Sequence, residues 1–149
     1  MSGTDLYDDL IMDHIRNARN YRALTHADLK ATGSNPLCGD EITVYVRFER
    51  GRIEDVTFRC TCCGISMASA SIMTELTKGK EMAEVRNLLR AFVAMLAGRA
   101  DRETNGATPE QRAILATARR FPARARCAVL PWATLEGALD GRQEAVIVR

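Results

Sequence analysis

The chain has 149 residues, a net charge of +2 at pH 7 and a hydrophobic fraction of 46%, enough for one domain that buries roughly two-thirds of its unfolded surface. So small a charge gives no footing to a nucleic-acid partner, and the short apolar runs, broken by charged residues, exclude a membrane span. Aromatic residues make up only 5%, so Ala, Leu, Ile, Val and Met must fill most of the core.

Met1 to Asp9 is acidic and holds no apolar run of signal-peptide length. Leu6, Tyr7, Leu10, Ile11, His14 and Ile15 then recur at helical spacing, with Ser2 or Thr4 placed to cap the start and an end near Asn17 to Asn20. His14 falls at the edge of the apolar face, where a hydrogen-bonded structural role is expected. Residues 31–36, Ala-Thr-Gly-Ser-Asn-Pro, read as a loop. Ile42, Val44, Val46 and Phe48 alternate with Thr43, Tyr45 and Arg47 in a strand, and after a turn at 49–52 Val56, Phe58 and Cys60 alternate with Thr57 and Arg59 in a second. This β-hairpin brings Cys38, just before it, and Cys63, just after it, to the same end of the sheet.

A run rich in small residues from Gly64 to Lys78, stopped by Gly79, predicts a helix that packs closely on the sheet. Cys63 then stands at its N-terminus, where the helix dipole and free amides favour thiolate. Met82, Val85, Leu88, Leu89, Phe92 and Leu96 mark another amphipathic helix, and Gly98 to Thr108 is a polar link. Thr108-Pro109-Glu110-Gln111 resembles a capping box with Pro at the first helical position, opening a helix that Arg119-Arg120-Phe121-Pro122 breaks. Cys127 follows in a short irregular segment, Pro131-Trp132 starts a last helix to about Leu139, and a loose tail runs from Gly141. The outline is α+β: a small antiparallel sheet with helices packed on one side. Arg119, Arg120, Arg124 and Arg126 lack stacking aromatics beyond Phe121, so they read as a solvated or partner-facing surface rather than a nucleic-acid patch.

The chemistry lies in the cysteines, of which there are five. Without an export signal they point to a reducing cytosol, where thiols serve as metal ligands or reactive groups. Cys38, Asp40, Cys63 and Cys127 offer three thiols and a carboxylate, enough to close a tetrahedron around zinc or to grip an iron–sulfur cluster. Asp40 is the odd member, because a hard oxygen beside three soft thiolates binds zinc less tightly than a fourth thiolate would. That favours a site built for exchange over a static one. Cys60 and Cys63 also form a C-x-x-C spacing, so a closed zinc centre of Cys38, Cys60, Cys63 and Cys127 stays open as a second ligand set. Strand parity with Val56 and Phe58 instead makes Cys60, and with it Cys62, a small buried hydrophobe.

Several motifs together resemble the SufU-type iron–sulfur cluster assembly proteins, within the larger IscU/NifU N-terminal superfamily. They are Leu6-Tyr7, Ile11-Met12-Asp13-His14, Asn35-Pro36-Leu37-Cys38-Gly39-Asp40, Cys63 through Ser71, Phe121 through Cys127 and Leu130-Pro131-Trp132, in order along nearly the whole chain. Arg126 stands where IscU proteins place a His before the third cysteine, and the segment around 98–117 looks like a helical insertion typical of the SufU branch. Ala18 replaces a Pro common in the family, and Arg59 through Cys62 replace Gly-rich sequence.

The resemblance implies one domain over 1–149, working in the cytoplasm with no membrane or nucleic-acid partner. It implies that Cys38, Asp40, Cys63 and Cys127 bind zinc, and that the protein accepts persulfide sulfur from a SufS-type cysteine desulfurase and passes it to downstream Suf assembly proteins. On this reading Cys38, on a flexible loop, is the sulfur acceptor and Cys127 the alternative. A scaffold that assembles a [2Fe–2S] cluster and a purely structural zinc module are the competing functions. An ion pair between Arg126 and Asp40 would weaken the carboxylate's hold on metal.

Overall fold

The computed structural model describes residues 8–98, 106–142 and 145–148; Ser2, Thr4, Leu6 and Tyr7 lie outside them. Helix α1 spans Asp9–Arg16 and is capped by Asp8, whose carboxylate accepts the Ile11 N–H at 3.0 Å. Strands β1 (Leu29–Asn35), β2 (Asp40–Glu49) and β3 (Arg52–Thr61) form an antiparallel meander. Strand β4 (Val146–Ile147) joins β1 in parallel, giving the order β3-β2-β1-β4. Helices α2 (Gly64–Thr77), α3 (Met82–Leu96), α4 (Pro109–Arg120) and α5 (Ala125–Leu139) complete the α+β fold. Among the described residues no helix is long and apolar enough to cross a membrane.

The hairpin follows the alternation in the sequence. Ile42, Val44 and Val46 of β2 and Val56 and Phe58 of β3 are buried beneath the helices. Its two-residue turn, Arg50-Gly51, has φ of 55° and 79°, the left-handed pair that matches the twist of the flanking strands. Thr108 and Gln111 make a true capping box for α4, each side chain bonding the other's backbone N–H. His14, expected at the edge of its helix face, is buried. Its Nδ1 lies 2.6 Å from Ser71 Oγ, which also accepts the Arg19 N–H. Burial first, and then the charge of Arg19, lower its pKa, so it is held neutral.

Three expectations are corrected. Residues 31–35, read as loop, belong to β1, where Ala31, Gly33 and Asn35 turn inward. The glycine serves packing rather than turning: a Cβ at Gly33 would stand 2.0 Å from Thr134 Oγ1 and 3.1 Å from Leu130 Cδ1, so its absence lets α5 lie on β1. Cys127 is not in an irregular segment but in the first turn of α5, and Pro131 lies inside that helix rather than at its start. The tail from Gly141, read as loose, returns to the sheet as β4.

Trp132 of α5 is fully buried against Phe92 of α3, their ring centroids 4.6 Å apart, and anchors the helical layer. The outer edge of β3 is bridged by Tyr21 opposite Phe58 and by Glu81 opposite Arg52. Gly33→Ala is expected to destabilise the protein by about 1–3 kcal/mol, since the new methyl has no room against α5. Chemical denaturation of this variant and of Gly33→Ala/Thr134→Ala checks it, the second recovering part of the loss.

Candidate metal centre

The site forms where the meander and two helices meet. Strands β1 and β2 are joined by residues 36–39, with Asn35 paired across the ladder to Asp40 and the Cys38 N–H donating to the Asn35 carbonyl at 3.1 Å. Gly39 takes φ of 71°, which a Cβ would penalise, and this turn sends Cys38 outward and Asp40 inward. Cys38 is exposed, as is Leu37 beside it, whereas Asp40 is 3% exposed. Such burial of a carboxylate requires donors. The Cys63 N–H reaches Oδ1 at 3.0 Å and the Ser66 hydroxyl lies 3.0 Å from Oδ2. Asp40 therefore caps α2 from a neighbouring strand, its negative charge set against the positive end of the helix dipole.

Cys127 is delivered by α5. Pro131 has no N–H, so the Cys127 carbonyl four residues earlier loses its helical partner. Ser66 Oγ stands 3.0 Å from that carbonyl as well as from Asp40, and its single proton is shared between the two acceptors. One turn on, Ser69 donates to the Ala128 carbonyl at 2.7 Å and accepts from Trp132 Nε1 at 2.8 Å. The hydroxyls of α2 thus dock the opened first turn of α5 and aim Cys127 at the site.

Cys38, Asp40 and Cys127 place one ligand atom each within 4.8 Å of one another. Cys38 and Cys127 have their sulfurs 3.4 Å apart, and Asn35 Nδ2 lies 3.6 Å from the Cys127 sulfur. Cys63 stands beside this triad rather than within it, its sulfur 3.6 Å from Ser66 Oγ. A hydrogen bond from Cys127, aided by the backbone and hydroxyl of Ser66, holds its pKa down at about 5 against the opposing effect of burial. Donation to Cys63, together with burial and the nearness of Asp40 and Cys38, drives the Cys127 thiol up. Of this pair Cys63 is the member that favours thiolate and Cys127 the one that favours thiol.

Two expectations fail here. Cys60 and Cys62 are neither buried free thiols nor further ligands: they are joined in a disulfide, both half-buried. Cys60 lies one residue from the end of β3, where the helices no longer cover the strand fully. Arg126 makes no ion pair with Asp40; it is exposed, because the helical turn that faces Cys127 inward faces its neighbour outward. Ser66 and Asn35, which sequence reasoning missed, hold the site together. The serine three residues after an N-terminal cysteine was the available signal, since that spacing returns to the same helix end.

A donor set of clustered thiols with one carboxylate suits a soft divalent metal or an iron–sulfur cluster. Zinc–sulfur bonds of about 2.3 Å in a tetrahedron place two sulfurs about 3.8 Å apart, close to the Cys38–Cys127 separation. The fold and this thiolate-rich site define a metal- or cluster-competent α+β domain. The chain belongs to the NifU-like N terminal domain family, whose model matches residues 6–128.

It is 34% identical over 131 residues to the zinc-dependent sulfurtransferase SufU of Bacillus subtilis, covering 88% of this chain and 87% of that one. It is 32% identical to the iron–sulfur cluster assembly scaffold protein IscU of Thermotoga maritima, over 90% of this chain and 92% of the relative. Among solved structures, a candidate cluster assembly scaffold of the SUF system from Fervidobacterium islandicum superposes with a TM-score of 0.82. That pair shares 31% identity, over 93% of this chain and 99% of the other.

Two outcomes follow for the metal-free protein. Cys63 should alkylate well below the range of an ordinary thiol, its rate falling as pH drops through about 5 because protonation removes the nucleophile, while buried Cys127 reacts only on unfolding; peptide mapping across pH checks both. Ser66→Ala should cost about 1–3 kcal/mol in chemical denaturation, since it strands two buried acceptors.

Proposed function

We propose that this chain is a one-domain cytoplasmic protein of iron–sulfur cluster assembly that takes persulfide sulfur from a SufS-type cysteine desulfurase and hands it to downstream Suf assembly proteins. Cys38, Asp40, Cys63 and Cys127 hold zinc, which when bound keeps the thiols deprotonated and guarded against oxidation. The observation that carries the reading is the asymmetry of the sulfurs. Cys38 is exposed on a hairpin loop, whereas Cys127 is 0% exposed and fixed in α5.

Only an exposed sulfur meets a partner's persulfide, so Cys38 is the acceptor and Cys127 is not. Its thiolate attacks the outer sulfur of the desulfurase persulfide, the sulfur–sulfur bond breaks, and the desulfurase cysteine leaves as thiolate. Exposed Leu37 beside Cys38 gives the partner an apolar contact at the point of transfer. The relative that is named a zinc-dependent sulfurtransferase, and that matches most of the chain, supports sulfur transfer as the function.

The scaffold relatives favour a second reading, in which the site assembles a [2Fe–2S] cluster as cargo. Purified protein separates the readings. Zinc at one equivalent with faster desulfurase turnover supports sulfur transfer, and a brown, transferable cluster supports the scaffold. Zinc whose removal unfolds the domain without effect on any desulfurase would leave only a structural role.

Cys38→Ser should carry no persulfide after exposure to a charged desulfurase, read by mass spectrometry; undiminished loading would end the assignment of Cys38. Asp40→Ala should lose zinc affinity and with it the stimulation of turnover, and Ser66→Ala should weaken zinc binding by about 10–100-fold.

A further inference from the structure

The Cys60–Cys62 disulfide has no part in the site as described, and it is a poor structural device. A crosslink stabilises by closing chain, and its effect grows with the loop it closes. This one encloses Thr61 alone, in a strand already fixed by the pairing of Ile42 with Cys60 and of Glu41 with Thr61. The Tyr21 hydroxyl holds the same strand end by donating to the Cys60 carbonyl at 3.1 Å. With little left to stabilise, the pair's distinguishing property is its chemistry: two thiols that store and release two electrons.

Its place in the fold gives that chemistry a target. Cys62 directly precedes Cys63, whose N–H bonds Asp40 at 3.0 Å, and Cys38 lies two residues before Asp40. The chain segments that carry Cys62 and Cys38 are therefore joined by one hydrogen bond. Cys60 itself lines an open cavity of about 580 Å³, with Arg59, Thr61, Glu41 and Thr43. The pair thus sits one residue from a thiol of the site in sequence, and Cys60 borders an open cavity.

We infer that Cys60 and Cys62 form an internal two-electron reductant that converts the outer sulfur of a Cys38 persulfide to sulfide. This rests on Cys38 being the sulfur acceptor. The Cys62 thiolate attacks the outer sulfur, which moves to Cys62 as Cys38 leaves as thiolate. Cys60 thiolate then attacks the Cys62 sulfur, the disulfide forms and hydrosulfide departs. The sulfane sulfur gains two electrons, and the two cysteine sulfurs lose one each. The disulfide in the structure is the spent state, and an external dithiol entering by the Cys60 cavity restores the pair.

The test uses full-length zinc-loaded protein, reduced and freed of reductant under anaerobic conditions. It is mixed with a cysteine desulfurase already charged with persulfide and separated from free cysteine. Sulfide is trapped with monobromobimane, and persulfides and disulfides are mapped by mass spectrometry. Wild type should release one sulfide for each Cys60–Cys62 disulfide formed.

The Cys60→Ser/Cys62→Ser variant should keep its sulfur on Cys38 and lose sulfide release, and Cys60→Ser alone should strand persulfide on Cys62. Equal sulfide release by wild type and the double variant, with Cys38 loaded in the variant, overturns the inference and leaves Cys38 as acceptor. Absence of sulfur on Cys38 in the zinc-loaded double variant overturns the acceptor assignment, and the inference falls with it.

Discussion

The buried carboxylate of Asp40 at the start of α2 is the point on which the site and much of the fold depend. It ties the first residue of β2 to the N-terminus of α2, and through Ser66 to the first turn of α5. Each partner there lacks something. The helix end has unpaired N–H groups, the carboxylate has lost its water, and the Cys127 carbonyl has lost the donor that Pro131 cannot provide. The three deficits cancel in one cluster. The geometry that gathers the thiols is therefore maintained by hydrogen bonds independent of any metal.

This coupling accounts for the division of labour among the sulfurs. Cys63 is fixed at a helix cap and Cys127 within a buried helical turn, both on elements of the core. Cys38 alone rides on a hairpin loop outside it. One exposed sulfur and two anchored ones thus arise from where each element ends. The same positions explain the charge distribution, because Cys63 receives a hydrogen bond from Cys127 and help from Ser66, which favours thiolate, whereas donation and burial favour a thiol at Cys127.

The hairpin and its flanking cysteines were legible because period-two alternation and the return of a hairpin to its origin are local rules. The convergence of Cys127 was legible only through family resemblance, since nothing local relates it to Cys38. Strand β1 was misread because Gly33 and its polar neighbours carry a turn-like composition, while the glycine there makes room for Thr134. The start of α5 was misread because Pro131 usually opens a helix; inside one, it needs a donor from another helix, and Ser66 is 65 residues away in sequence. Parity placed Cys60 inward correctly as a rule but could not tell that cover thins at the strand's end.

The two edges of the sheet bear on how any protein can approach it. A bare edge strand invites pairing with a foreign strand. Here β1 is closed by β4, itself only two residues long, and β3 is interrupted by the bridges to Tyr21 and Glu81. Strand addition thus has little backbone to grip on either flank. On the proposed sulfur transfer, a partner would rely on side-chain recognition at the loop end of the meander, and the shape around Cys38 could drift with that loop while the sheet stays unchanged.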